Sequence, residues 1–220
     1  MEEENKIMLK TAGLTVAALL IVTVLIISAF ALFCPSLSGD FCYRIGLDGL
    51  SVRFARVAYD KSGEIDDVAV LIERAASVND DETIVEYAPE LLKHKNWSEY
   101  EEFMTEKLQY QYGNFINGKY AVALYREGDK AEALNVAKSA TEEYGVNNPM
   151  QHLVSAVAAA KDSTFAADVL VVLEEMFQSA KTTATAKAVA VDGVQMATIS
   201  GNQTAVGIWK ARYDVPVINN

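Results

Sequence analysis

The sequence is poor in the residues that carry out chemistry. Its 220 residues include only two histidines, His94 and His152, and two cysteines, Cys34 and Cys42. Neither histidine has a second ligand at the spacing of a metal site. The sequence also lacks a glycine-rich phosphate loop and a nucleophile elbow. We therefore expect a protein that is not an enzyme, with no catalytic residues, cofactor, metal site or small-molecule substrate.

Basic residues are also scarce. There are 19 lysines and arginines against 30 aspartates and glutamates, which gives a net charge of −11. A phosphate backbone is bound by clustered lysines and arginines, so this balance argues against nucleic acid as a partner. An acidic run comprises Glu99, Glu101, Glu102 and Glu106. We interpret it as the solvated face of a helix rather than as an acid-base pair or a cation site.

Charge is absent from residues 12–33, a run of 22 residues rich in Leu, Ile, Val and Ala. A helix of this length, rising about 1.5 Å per residue, is long enough to cross about 30 Å of hydrocarbon. We predict a polar tail at residues 1–10 and a transmembrane helix at residues 11–33, so the lipid bilayer is one partner of the chain. The alternative is a cleaved signal peptide, for which Ala29 and Ala31 supply the small residues of the cleavage site.

The two cysteines predict the side of the membrane on which the rest of the chain lies. Two lysines before the apolar run nearly balance two arginines after it, so the positive-inside rule does not decide. Cys34 and Cys42 follow the run directly, and a disulfide between them could close a small loop in an oxidising compartment. This candidate disulfide favours the extracytoplasmic side, and two unpaired thiols are the alternative. The proline, serine, glycine and aspartate of residues 34–49 indicate a linker.

Residues 50–213 alternate between amphipathic stretches and short breaks. The breaks recur at intervals of 33, 32, 34 and 39 residues, at Gly63, Asn96, Gly128, Asp162 and Gly201. Apolar residues in the stretches follow helical spacing. The pattern predicts five helical hairpins, over 51–61 and 65–77, 80–94 and 97–108, 111–127 and 130–144, 150–161 and 164–179, and 182–199 and 202–213. Residues 214–220 form a tail.

Two of these predicted helices have unusual features. Pro89 lies inside one of them, and we expect it to kink or break the helix. Residues 169–173 form an unbroken apolar run in another, and we expect that helix to be covered on both sides.

The third break lies in the segment ALYREGDKAEAL, residues 123–134, which resembles the middle of a tetratricopeptide repeat. The matching residues are Ala123, Gly128, Asp129, Glu132, Ala133, Leu134 and Ala140. Residues 58–75 match at the same offsets, with Gly63 and Glu64 at the turn. The resemblance, with its period of about 34 residues, implies an α-solenoid of about five hairpins. Together with the apolar run, we therefore predict an all-α chain in which one transmembrane helix precedes the solenoid. The proline that ends the family's repeat is Gly145 here, and a related helical-hairpin solenoid would have the same spacing.

A solenoid of this kind implies a groove that binds peptides. Candidates to line the groove are four tyrosines of the middle hairpins: Tyr100, Tyr112, Tyr120 and Tyr125. Their amphipathic rings suit peptide recognition. We predict a single-pass, membrane-anchored scaffold that binds a peptide or a protein subunit of an envelope, secretion or translocation assembly. The alternative is a structural subunit of a larger membrane complex, whose transmembrane helix packs against other subunits through its small residues.

Overall fold

The structure is a computed structural model that describes residues 33–144 and 148–214. It also describes seven positions in the apolar run, all of them helical: Thr15, Val16, Ala18, Leu19, Ile21, Val22 and Ala29. In this described part the regular structure consists of eleven helices and no strands, which confirms the all-α prediction. None of these helices is both long enough and apolar enough to cross a membrane. The predicted tail at 1–10, most of the predicted transmembrane helix at 11–33, Gly145 and residues 215–220 lie outside the described residues.

The chain divides into two compact units, residues 1–74 and residues 75–220. In the first unit, α1 spans Pro35–Arg44, α2 spans Asp48–Ser62, and the unit includes most of α3, Ile65–Val78. α1 packs along α2. The side chains of Val68, Leu71 and Ile72 on α3 are fully buried. Their spacing of three and four residues places them on one face of α3, which is therefore its core face.

The prediction that residues 34–49 form an irregular linker is wrong, because α1 occupies ten of them. Pro35 stands at the first helical position, where its missing N–H costs nothing and its fixed φ suits a helix. Gly39, a residue type that in a sequence usually indicates a loop or turn, is buried inside the helix. The guanidinium of Arg74 lies where a side chain at position 39 would begin, and it forms an ion pair with Asp40. A contact with a distant residue thus explains the glycine.

The predicted disulfide is also wrong, because Cys34 and Cys42 are both free thiols. Cys34 caps the start of α1, and Cys42 is buried within that helix. Eight residues of helix separate two Cα atoms by about 12 Å, whereas a disulfide requires Cα atoms within about 7 Å. α1, which the sequence did not predict, therefore keeps the two thiols apart. The cysteine pair then gives no indication of the side of the membrane on which the chain lies.

The second unit contains the last turn of α3 and eight further helices. They are α4 at Asp81–Leu92, α5 at Trp97–Leu108, α6 at Tyr112–Glu127, α7 at Lys130–Tyr144, α8 at Asn148–Ala160, α9 at Ser163–Gln178, α10 at Thr183–Ile199 and α11 at Gln203–Asp214. Over the two units the ten helices predicted from the sequence are found, each within three residues of its predicted ends.

Successive hairpins of the second unit pack through their first helices. α4 contacts α6, α6 contacts α8, and α8 contacts α10. The second helix of one hairpin also contacts the first helix of the next, as α7 does with α8 and α9 with α10. Buried side chains from Ala121 to Trp209 form one hydrophobic core. Because the first helices lie next to each other, side chains on their outer faces can form a continuous surface.

The five predicted turn residues lie between consecutive helices: Gly63, Asn96, Gly128, Asp162 and Gly201. Gly128 has φ of 95° at the end of α6, a left-handed conformation that favours glycine. Asp162 has a different role, because it caps α9 by accepting a hydrogen bond from the N–H of Phe165. The turns thus end one helix and start the next by two different means.

Two local predictions are corrected. α4 continues through Pro89 and ends at Leu92, so the proline does not break the helix. Pro89 lies in the last turn, so its missing N–H removes one hydrogen bond close to the end of the helix. The apolar run at residues 169–173 is not covered on both sides, because Val171 is 62% exposed while Val169 and Leu173 are fully buried. Residues four apart share a helix face, so α9 has one buried face rather than two.

Candidate docking groove

A groove crosses the first helices of three successive hairpins in the second unit. One cavity of about 260 Å³ lies between α4, α6 and α8, and a second of about 370 Å³ lies at the start of α6. His152 lines both, so we treat them as one groove. Its lining residues are Ala76, Asn79, Asp81, Ile84, Tyr110, Gln111, Asn114, Phe115, Lys119, Val122, Arg126, His152, Ser155, Ala156 and Ala159.

The helical period explains how α6 supplies one side of the groove. Phe115, Lys119, Val122 and Arg126 are four, three and four residues apart, so they lie on one face of the helix. A different face of α6 carries fully buried core residues such as Ala121. One helix therefore serves the core and the groove at the same time.

α8 supplies the facing side mainly with small side chains. Ser155, Ala156 and Ala159 lie on the same face as His152 and leave space above the helix. The imidazole of His152 lies against α6 at Gly118, where its Cδ2 atom is 2.7 Å from the position that a Cβ would occupy. Glycine at this position thus permits the close approach of the histidine ring to α6.

The groove is lined by two basic residues, Lys119 and Arg126, and by one acidic residue, Asp81, which pairs with Arg126. Arg126 donates hydrogen bonds to Asn79 Oδ1 at 3.1 Å and to Asp81 Oδ1 at 3.4 Å. The Nζ atom of Lys119 lies 5.5 Å from the centroid of the Phe115 ring. Partial burial and the charge of Lys119 lower the pKa of His152, which is therefore neutral at physiological pH. The groove is locally basic in a chain whose net charge is −11.

This arrangement provides groups that can bind a ligand. It combines cationic donors at Lys119 and Arg126 with apolar surface at Val122 and Phe115. Interfaces between proteins combine apolar and polar groups in this way. Over the described residues, no cluster of three or more metal-ligating side chains occurs.

A larger cavity, about 600 Å³, lies between α9 and α11. Three charged residues line it, Glu174, Glu175 and Arg212, and Arg212 Nη2 donates to Glu174 Oε1 at 2.6 Å. The Arg212 guanidinium pairs with Glu174, and this holds the pKa of the glutamate below its usual value. We consider the groove on the first helices the better candidate for a docking site, although its cavities are smaller, because it extends across the first helices of three successive hairpins.

Two of the four tyrosines predicted to line a groove are core residues. Tyr112 is fully buried, and Tyr125 is only 8% exposed. Tyr112 is surrounded by other aromatic rings, among them Trp97 at 6.2 Å and Tyr100 at 5.9 Å between centroids. Tyr125 stacks on Phe165 at 5.3 Å. The groove prediction is wrong for these two residues, because the inward face of α6 uses them to pack against neighbouring helices.

Tyr100 and Tyr120 are half-buried, and neither lines the groove. Tyr100 lies on α5, the second helix of its hairpin, and its ring meets the edge of Tyr112. Tyr120 packs against the core of the second unit. Burial and the carboxylates of Glu132 and Asp129 raise the pKa of its phenol. Because Glu132 lies on α7, the Tyr120 side chain is directed towards α7 rather than towards the groove.

Sequence reasoning did not identify the α6 face that lines the groove. The signal was present, because Lys119, Val122 and Arg126 repeat at helical spacing opposite the apolar core positions. It was hidden because any exposed helix face has the same pattern. Only the packing of α4 and α8 on either side of α6 distinguishes this face from a solvated one.

Comparisons with known proteins leave the function to be argued from this geometry. No protein-family model, no curated protein and no solved structure matches the chain.

Proposed function

We propose that the protein is a membrane-anchored scaffold of the tetratricopeptide-like kind, an α-solenoid of about five hairpins whose groove binds a segment of a partner protein. The observation that carries this proposal is the groove formed by α4, α6 and α8. Each helix belongs to a different hairpin, so the groove extends across repeats as a surface for an elongated ligand. The role is non-enzymatic.

The membrane anchor is supported by the exposure of the apolar run. Every position described within the run is exposed, and the large side chains Val16, Leu19, Ile21 and Val22 are 51–61% exposed. Contiguous exposed apolar surface on a helix is unfavourable in water and favourable in lipid. We place the anchor at residues 11–33 and propose a single-pass membrane protein. That the repeat domain lies on the extracytoplasmic side stays a prediction.

The groove chemistry indicates the kind of segment that would bind. A carboxylate of the ligand would accept hydrogen bonds from Lys119 and Arg126, and an apolar side chain would cover Val122 and Phe115. A peptide or subunit of an envelope, secretion or translocation assembly, presenting an acidic and apolar segment near the membrane, fits this description.

Site-specific photocrosslinking in cells tests the proposal. A photoreactive amino acid is placed in the groove at Val122 or Ser155, and as a control at Glu106 on α5. We expect both groove positions to crosslink the same partner, identified by mass spectrometry, and the control position not to do so. Lys119→Glu should reduce the crosslink several-fold, because it places a negative charge where an anionic group binds. Lys95→Glu makes the same charge change on an exposed turn and should leave the crosslink unchanged.

The proposal fails if neither groove position yields a defined partner while the variants remain folded by circular dichroism. It also fails if Lys95→Glu and Lys119→Glu reduce the crosslink equally.

The exposed apolar side chains of the run also favour a second candidate, a structural subunit whose anchor packs against other membrane helices. Exchanging residues 11–33 for an unrelated transmembrane helix separates the two functions. A docking scaffold retains its crosslinked partner after the exchange, and a helix-packed subunit loses its complex.

A further inference from the structure

The first helix of the structure has an exposed apolar face directly after the apolar run. Phe33, Leu37 and Phe41 follow each other at intervals of four residues and are 83%, 59% and 63% exposed. Ile45, four residues further, is 52% exposed. This spacing places Leu37 and Phe41 on one side of α1, and Phe33 and Ile45 lie just beyond its two ends. We call Phe33, Leu37, Phe41 and Ile45 the apolar stripe.

The apolar stripe is distinct from the face with which α1 packs. Pro35, Gly39 and Cys42 are the buried residues of α1, and they lie on the side opposite Leu37 and Phe41. The inner face of α1 is therefore packed within the first unit. Among the described residues, no element covers its second apolar face.

Exposed apolar residues are concentrated in this part of the chain. Seven large hydrophobic side chains between residues 33 and 50 are exposed: Phe33, Leu37, Phe41, Tyr43, Ile45, Leu47 and Leu50. The whole remainder up to Asp214 adds only seven more. A cluster of this density marks a surface that is covered in the functional state.

The backbone shows that α1 is not a continuation of the apolar run. Cys34 has φ of −133° and ψ of 64°, which are not helical values. The cause is Pro35, because a proline disfavours the helical conformation of the residue before it. α1 therefore starts as a new helix at Pro35, directly after the uncharged run.

The charges of α1 suit a lipid surface. Its only acidic residue, Asp40, is paired with the buried guanidinium of Arg74. Arg44 in the last turn lies on the same side of the helix as Leu37 and Phe41, and it is exposed. Tyr43 is exposed on a different side of α1, where its ring centroid lies 6.0 Å from Cζ of Arg74, and it is of the aromatic type that is enriched at the boundary between lipid and water.

We propose that α1 lies in the headgroup region of the bilayer, with the apolar stripe inserted into the lipid at the boundary where the anchor leaves it. The occupant of the stripe is lipid because one non-helical residue separates α1 from a 22-residue uncharged run. A helix tethered so closely to an anchor cannot move far from the membrane surface. This inference rests on the proposed anchor, and it adds a second membrane contact that fixes the first unit at the lipid surface.

Fluorescence quenching in vesicles tests the inference on the full chain. In a Cys34→Ser, Cys42→Ala background, single cysteines at Leu37, Phe41 or Glu102 carry an environment-sensitive fluorophore. Glu102 is the control because it lies in an acidic, exposed run that is unfavourable in lipid. The protein is reconstituted into phosphatidylcholine vesicles with bromine on the acyl chains, and flotation first establishes that it is membrane-bound. Iodide then probes access from water.

We expect the labels at positions 37 and 41 to be quenched by the brominated lipid and to be several-fold less accessible to iodide than the label at 102. If the protein floats and all three labels behave alike, the inference is wrong and the proposed anchor stands. Protection from iodide without quenching by lipid also overturns it, because a second copy or another part of the chain then covers the stripe. Failure to float overturns the anchor, and the inference with it. A parallel set that retains the buried Cys42 shows that the background substitution does not cause the result.

Discussion

The indole ring of Trp209 lies directly against Gly193 in the last hairpin. Three of its ring atoms are within 2.7 Å of the position that a Cβ at residue 193 would occupy. The ring is 3% exposed and meets the edge of Phe177 at 5.8 Å between centroids. A side chain at position 193 therefore cannot be added without moving a rigid, buried aromatic residue.

We predict that Gly193→Ala lowers the free energy of unfolding by about 1–3 kcal/mol, the usual cost of overpacking a core. Gly207→Ala is the matched control, because Gly207 is exposed on α11 with open space around it. That substitution should raise stability by up to about 1 kcal/mol through helix propensity. Urea titration followed by circular dichroism measures both. Equal effects of the two substitutions would mean that Trp209 does not pack on α10 as described.

The two glycines also show what the sequence could and could not predict about single residues. Both appear as helix-weakening glycines near the end of the chain. The role of Gly193 depends on Trp209, sixteen residues later, and so on the angle at which α11 crosses α10. By contrast, the role of Gly128 is local, because a left-handed turn needs glycine whatever the neighbouring helices do. Local roles can be read from the sequence, and roles created by packing cannot.

At the level of helices, Asp162 connects the third and fourth hairpins. It caps α9 through the N–H of Phe165, and its Oδ2 atom lies 2.5 Å from Nζ of Lys130 at the start of α7. The Tyr125 hydroxyl donates to the same carboxylate at 3.3 Å. The hydrogen bond from Lys130 is the main reason that the pKa of Asp162 is lowered, and the cap bond from Phe165 also contributes. A single turn residue therefore ties two hairpins together through its charge.

The lowered pKa predicts how stability depends on pH. A carboxyl group whose pKa is lower in the folded state stabilises that state above its unfolded pKa of about 3.9. This contribution is lost as the pH falls through the lower, folded value. Asp162→Asn keeps a capping side chain and removes the charge, so it should destabilise the protein at pH 7 and have progressively less effect in acid. Asp162→Ala removes the cap as well and should cost about 1 kcal/mol more.

Urea unfolding of both variants and the wild type at neutral and acidic pH measures these differences. An Asp162→Asn effect of the same size at every pH would show that the carboxylate acts only as a cap, without a contribution from its charge.

The helices also show why the sequence predicted where helices begin and end more accurately than which of their faces are buried. Helix ends are set by local signals such as the glycine and aspartate turns, and the ten predicted helices lie close to their predicted positions. α1 was missed because Ser38 and Gly39 are typical of loops, and only contacts with α2 and Arg74 stabilise a helix there. The tyrosines of α6 were assigned to the wrong face, because a helix packed on several neighbours has more than one apolar side.

In the whole molecule, the apolar run and the groove depend on different kinds of information. The run can be recognised from composition alone, since 22 uncharged residues match the thickness of a bilayer. The groove requires three helices from three hairpins to meet, and Asn79 and Asp81 reach Arg126 from more than forty residues away in the chain. Sequence spacing predicts that such hairpins stack, but the composition of the shared surface follows only from their packing.

The proposed anchor leads to the last prediction. Leu19 and Val22 are exposed within the run, three residues apart on one helix face. An arginine at the centre of a transmembrane helix costs about 2.5–3.5 kcal/mol, so Leu19→Arg with Val22→Arg should prevent stable insertion. The matched control places arginine at Val171 and Ile208, which are 62% and 49% exposed in the second unit, and it should remain in the membrane fraction. Extraction of cell membranes with alkaline carbonate distinguishes the two variants. If the variant with arginines in the run still resists extraction, residues 11–33 do not hold the protein in the bilayer.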